Sequence, residues 1–99
     1  LLEREARWVL GVASARARLE AGTAAAGELA LAELELFRVR CETGAEDVAR
    51  YADHARERVP AVREWIEARR KDGAVPVELR RLEEQLARLM SAPVSAPGR

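Results

Sequence analysis

The chain has 99 residues, 48% apolar, 4% aromatic and 34% charged, and its 17 basic and 17 acidic side chains balance to a net charge of +0. That length fits one domain at most, and a chain of this size buries only about 60–70% of the surface its unfolded form exposes. The composition offers no basic surplus for neutralising phosphates and few aromatics to line a small-molecule pocket, and no apolar run reaches the roughly 20 residues of a membrane span.

Ala, Leu, Glu and Arg dominate, the composition of long helices and coiled coils, and spacing and breakers predict four helices. The first runs over about residues 2–20, with a seam of Leu2, Ala6, Val9, Ala13 and Ala17 that Trp8, Val12, Ala15 and Leu19 widen. Gly22 ends it, glycine being the favoured residue just past a helix end. Thr23 is the expected N-cap of a second helix, under way by Glu28 and ending near Glu42. Its seam is Leu29, Ala32, Leu36 and Val39, broadened by Leu31, Leu34 and Phe37.

Thr43 and Glu46 have the spacing of a capping box, which places a third helix over about residues 45–71. Its seam of Val48, Ala52, Ala55, Val59, Val62 and Ile66 is the most regular in the chain. Pro60 lies inside that seam and predicts a kink, or a break into two helices, because it has no amide hydrogen and clashes with the Arg56 carbonyl. Asp72 and Gly73 close the third helix. Pro76 suits the first turn of a fourth, which carries Leu79, Leu82, Leu86 and Leu89 and ends near Met90 or Ser91. Residues 92–99 have no periodicity and read as a disordered tail or a linker.

The chain resembles itself. Ala17-Arg18-Leu19-Glu20-Ala21-Gly22 lines up with Ala68-Arg69-Arg70-Lys71-Asp72-Gly73. After a one-residue gap, Glu28-Leu29 meets Glu78-Leu79, Glu33 meets Glu83, Leu36 meets Leu86, Arg38 meets Arg88 and Val39 meets Leu89. The period of about 50 residues suits a helix–turn–helix unit used twice, over about residues 8–42 and 59–91 of a domain spanning 1–91.

The first turn, Leu19-Glu20-Ala21-Gly22-Thr23, followed by Ala32-Glu33-Leu34-Glu35-Leu36, resembles the TolC-like outer-membrane efflux family. In that family a helix closes on a glycine turn and returns as a partner rich in Ala, Glu and Leu. The second copy, Asp72 to Leu79 with Leu82-Glu83, looks like a degraded version. The likeness covers residues 13–41 and 65–90 and implies a helical hairpin alone. A full member carries transmembrane strands, and no alternating ten-residue segments are present here. The resemblance implies a scaffold in the bacterial cell envelope; without it the compartment is open, the cytoplasm included. Leu1-Leu2-Glu3-Arg4-Glu5 is not a signal peptide and lacks Met, so the chain reads as a piece of a longer protein.

No catalytic, cofactor or metal constellation emerges. Asp47, His54 and Glu57 can share a helical face, but a metal site needs three or four converging ligands, and His54 reads as a solvated residue. Cys41, the lone cysteine, cannot form an intrachain disulfide; beside the second seam it reads as a small buried hydrophobe rather than a nucleophile served by His54. Gly22 and Gly27 fit no phosphate loop. Sixteen of the basic residues are Arg, which reads as the usage of a GC-rich genome or as a supply of inter-helix bidentate partners for Glu, and Glu–Arg spacings along the helices read as solvated ion-pair faces.

The interaction candidates are Trp8 and Trp65, either half-exposed anchors or packed on one another, and the basic residues Arg69, Arg70, Lys71, Arg80 and Arg81 around the second turn. The expected fold is all-α, four helices in two antiparallel hairpins, as a small bundle or an extended coiled coil. The expected role is a non-catalytic scaffold that docks helices of a protein partner or of its own copies. The alternative is a helical appendage of a bacterial regulatory protein contacting nucleic acid or an anionic surface through that basic cluster.

Overall fold

The chain's computed structural model describes residues 2–91 and Pro93, so most of the expected tail lies outside the described residues; Pro93 itself is buried. Four helices follow in order: α1 (Leu2–Glu20), α2 (Ala26–Thr43), α3 (Val48–Lys71) and α4 (Pro76–Met90). Among the described residues there is no strand.

The first three helices end in the same way. Gly22, Gly44 and Gly73 stand at φ 78°, 82° and 83°, a conformation glycine adopts without steric cost. Each donates its amide to the carbonyl three residues back, and the next residue's amide reaches five back, to Arg18, Arg40 and Arg69. This pair of bonds satisfies carbonyls that a helix end leaves free.

Two expected caps are corrected by it. Thr23 closes α1 rather than opening α2, since its amide and its hydroxyl both donate to the Arg18 carbonyl. α2 begins at Ala26 with Ala25 before it and no side-chain cap. The capping box of Thr43 and Glu46 does not form either. The amides of Ala45 and Glu46 are committed to the Arg40 carbonyl at the end of α2, and the Thr43 hydroxyl donates to that carbonyl as well. α3 therefore starts at Val48 rather than near Ala45, capped by Asp47, whose Oδ1 accepts from the Ala49 amide at 2.8 Å.

α2 is the axis. It packs on α1, α3 and α4, whereas α1 packs on α2 alone. The two hairpins thus fold onto one another as a bundle of 46 × 26 × 23 Å rather than running on as an extended coiled coil. The core joins Ala30, Leu31, Leu34 and Cys41 of α2 to Tyr51, Val59, Val62 and Ile66 of α3 and Leu86 and Leu89 of α4. The expected seams of α3 and α4 hold, except that Ala52 is exposed and Tyr51 takes the buried place.

α3 passes through Pro60 as one helix, so the alternative of two helices is set aside. Pro60 is exposed, which leaves Val59 and Val62 beside it free to pack inward.

The first helix turns differently from its expected seam. Ala6, Val9, Ala13 and Ala17 are exposed, while the Leu2 side chain lies outside the described ones; the face against α2 is Glu5, Trp8, Val12, Ala15 and Leu19, of which Ala15 is fully buried at 2% exposure. The reason is electrostatic as well as apolar. Arg4–Glu42, Glu5–Arg40, Arg16–Glu33 and Arg18–Glu28 join α1 to α2 in opposite order along the two helices, and this fixes both the antiparallel direction and the rotation of α1. The second hairpin repeats one of these pairs. Arg69 meets Glu78 across the Gly73 turn as Arg18 meets Glu28 across the Gly22 turn.

Gly27 and Gly11 give opposite tests of this packing. A Cβ on Gly27 would stand 2.3 Å from Trp65 Cβ and 2.4 Å from the Ala61 carbonyl oxygen, atoms that cannot swing aside. Gly27→Ala is expected to destabilise the fold by about 1–3 kcal/mol, outweighing alanine's better helix propensity. A Cβ on Gly11 meets Trp8 Cε3 at an ordinary 3.6 Å, so Gly11→Ala is expected to stabilise by up to about 1 kcal/mol. Urea denaturation of the two variants should show opposite signs, and equal signs would contradict the close crossing at Gly27.

Candidate interaction surfaces

α1 carries two apolar stripes on opposite sides. One packs on α2. The other, formed by Ala6, Val9, Leu10, Ala13 and Ala17, faces outward, with Leu10 at 70% exposure its most prominent member. Ala6, Leu10, Ala13 and Ala17 recur at the 4-3-4 spacing of a helix-docking seam, and three of them are small enough to let a second backbone approach closely. Arg7 beside it makes no ion pair or hydrogen bond.

The expected anchor residues are not brought together. Trp8 is half-buried where α1 meets α2, and Trp65 is half-buried against Gly27 at the other end of α2. The two indoles lie on helices that do not touch, so they do not pack on one another. The Arg69 guanidinium stands 5.7 Å from the Trp65 ring centre and pairs with Glu78. Arg70 is shared between Glu67 and Glu83. Lys71, Arg80 and Arg81 are exposed, and among the described residues none of the three has an ion-pair or hydrogen-bond partner. The predicted cluster of five thus divides into two structural arginines and three unpaired cations.

His54 is also accounted for locally. Its ring stacks on Phe37 at 3.9 Å with an interplanar angle of 8°, and Arg58 lies 5.1 Å from the Phe37 ring centre. Arg58 Nη1 stands 3.3 Å from His54 Nδ1, and Arg58 also meets Glu33 and Glu57. Asp47 caps α3, so the three side chains that share a face have separate duties. Among the described residues no three His, Cys, Asp or Glu side chains converge. Cys41 is buried, and burial pushes its thiol pKa up, with the charges of Glu46 and Asp47 adding to the effect.

The most built polar site was not legible in the sequence. α4 ends without a glycine, and side chains from the other helices take over its carbonyls. Arg38 of α2 donates to the Arg88 carbonyl at 2.8 Å and to the Ser91 carbonyl at 3.1 Å. The Tyr51 hydroxyl of α3 donates to the buried Leu89 carbonyl at 2.6 Å, and the Ser91 hydroxyl donates to Ala87. Glu35, the buried charged residue of the described chain at 4% exposure, accepts from Gln85 Nε2 at 3.1 Å and from Arg88. These bonds fasten α4 to α2 and α3. Each of these polar groups is spent on holding α4 in place, which makes the set structural.

Among the described residues no helix is long and apolar enough to cross a membrane. Comparisons of the chain with protein-family models, curated proteins and solved structures find no match.

The Tyr51 contact is testable by pH. Burial raises the phenol's pKa above its ordinary 10.0, and nearby Arg38 only partly opposes this. The unfolded chain therefore loses the proton first, and stability is full below that value and falls as pH rises past it. Tyr51→Phe is expected to cost about 1 kcal/mol at neutral pH, since the Leu89 carbonyl loses its donor. It is also expected to flatten the alkaline loss. Urea midpoints at pH 7 and about pH 11 measure both, and parallel losses in the two proteins would contradict the assignment.

Proposed function

We propose that the chain is a non-catalytic helical scaffold that works by docking a further helix on the outer stripe of α1. The observation that carries this reading is the uncovered 4-3-4 seam of Ala6, Leu10, Ala13 and Ala17, with Val9 beside it. A helix apolar on two opposite sides is built to sit between two neighbours, and here α1 has one. Exposed apolar stripes of this kind mark interaction surfaces. In this reading the chain serves as the hairpins of TolC-like efflux proteins do, as a surface of helices for other helices. The first occupant to test is a second copy, because the stripe of small residues is self-complementary in shape.

A second reading rests on a different observation. The turn between α3 and α4 exposes Val75 and Val77 beside the unpaired Lys71, Arg80 and Arg81. Apolar side chains among free cations suit an anionic bilayer surface better than nucleic acid, where apolar groups find little to cover.

Two expectations follow. Sedimentation velocity should show a mass that rises with concentration, and Leu10→Glu should hold the chain at monomer mass with helicity unchanged. A wild-type chain that stays monomeric up to about 1 mM, a weak-binding limit, would remove self-docking. Under the second reading, binding to vesicles of anionic lipid should weaken with salt and disappear in the Lys71→Glu, Arg80→Glu, Arg81→Glu variant. Binding that is indifferent to those changes would remove it.

A further inference from the structure

A second apolar surface lies away from α1. A groove of about 460 Å³ runs between the edge of the packed face of α3 and the end of α4. Its α3 wall follows one stripe down the helix through Val48, Ala52, Ala55 and Val59, with Pro60 beside it, and Met90 and Pro93 form the opposite wall. The Tyr51 ring lies in the floor, with its hydroxyl turned away to the Leu89 carbonyl. Ala52, Ala55 and Pro60 are short side chains, so the α3 wall stands low enough for the ridge of another helix.

The groove is lined by charged as well as apolar side chains. Among the described residues that line it, the charged ones are Arg56 and Arg63, and no Asp or Glu is present. Arg63 has only the Met90 sulfur, at 3.4 Å, as a hydrogen-bond partner, and a thioether is a weak acceptor. Arg56 pairs with Asp53 one turn back, but both side chains are largely exposed, and a pair of that kind gives way readily to a better-placed carboxylate.

We propose that this groove docks an acidic amphipathic helix of a partner protein, with Arg56 and Arg63 receiving two carboxylates set seven residues apart on it. The spacing selects the occupant. Two arginines seven residues apart on α3 are separated by about 10.5 Å along the axis. A fatty carboxylate has one headgroup and meets one of them, whereas acids at i and i+7 of a helix meet both while residues at i+3 and i+4 enter the apolar floor. The stripe from Val48 to Arg63 is about 22 Å long, the length of a helix of about 15 residues. The proposal is independent of the α1 stripe, which lies on a helix that touches neither α3 nor α4.

The test is a titration of the full chain with two 15-residue helical peptides, identical except that one carries Glu and the other Lys at the paired positions. The Glu peptide is expected to bind at least about tenfold more tightly than the Lys peptide. Arg56→Glu with Arg63→Glu should reverse that preference, and Ala52→Trp, a change at an exposed position, should abolish binding of the Glu peptide by filling the groove. Circular dichroism on each variant confirms that the helices remain. Equal binding of the two peptides, no binding of either, or full displacement of the Glu peptide by sodium decanoate at matched carboxylate concentration would overturn the proposal. Displacement of the Glu peptide by self-association of the chain would overturn it too, since the occupant would then be a second copy.

Discussion

Burial of α2 on every side is the constraint from which the other positions follow. Its inward residues, from Gly27 through Ala30, Leu31, Leu34, Glu35, Leu36 and Val39 to Cys41, do not confine themselves to one stripe. A helix whose buried residues point in several directions needs a neighbour on each of those sides. With 18 residues it supplies too little surface for a core by itself, so α1, α3 and α4 must each cover a part of it. The chain meets that demand with two hairpins, and the hairpins meet along α2 and α3. Gly27 sets how closely they meet, because the Ala61 carbonyl and the Trp65 side chain occupy the space a Cβ would need.

The helix ends show how one rule and its exception share the work. Three ends use glycine and local backbone bonds, which ask nothing of the rest of the fold. The fourth borrows Arg38 from α2 and Tyr51 from α3. A guanidinium at a helix C-terminus meets both the free carbonyls and the negative end of the helix dipole. The consequence is that α4 is held by long-range bonds as well as by Leu86 and Leu89. Glu35 adds direction to that hold, for a buried carboxylate has to find its donors, and Gln85 and Arg88 are on α4. Such a charge adds little net stability, yet it penalises any arrangement that leaves it unpaired.

Much of this was legible from residue order. The number of helices, their approximate limits, the turns at Gly22 and Gly73 and the seams of α3 and α4 follow from period and breakers. What failed did so for physical reasons. Thr23 and Thr43 have the residue type of an N-cap, but each lies where the preceding glycine motif needs its bonds, and a local rule cannot decide between two local claims. Periodicity centres the first helix's stripe on Ala6, Val9, Ala13 and Ala17, whereas only its widening residues Trp8, Val12, Ala15 and Leu19 pack on α2, because hydrophobicity alone does not rank two stripes. The ion pairs to Glu28, Glu33, Arg40 and Glu42 rank them, and those depend on α2 being alongside. Among the site residues, the basic cluster was found from its composition, but only contact with Glu67, Glu78 and Glu83 separates its structural members from its free ones. Arg38 and Tyr51 carried no local signal, since their partners are backbone carbonyls about 40 to 50 residues away.

The uncovered stripe of α1 bears on the stability of the fold itself. Among the described residues, α1 touches α2 alone and buries one side chain fully, so it draws less from the core than the other helices, and the least-held element of a fold is the one that opens first. Its four ion pairs to α2 fix its rotation, but partly exposed pairs of that kind contribute little each. An occupant on the outer side binds α1 only while it is helical and docked, and whatever binds the folded state alone shifts the equilibrium toward it. Under the proposed docking the same side chains link recognition to order. Val9 and Leu10 weaken the isolated chain by facing water, and covering them adds apolar burial to both sides of one helix. A polar outer face would give a more soluble α1 but, under the proposed docking, one with nothing to offer a partner; the 4-3-4 order of Ala6, Leu10, Ala13 and Ala17 has the opposite effect.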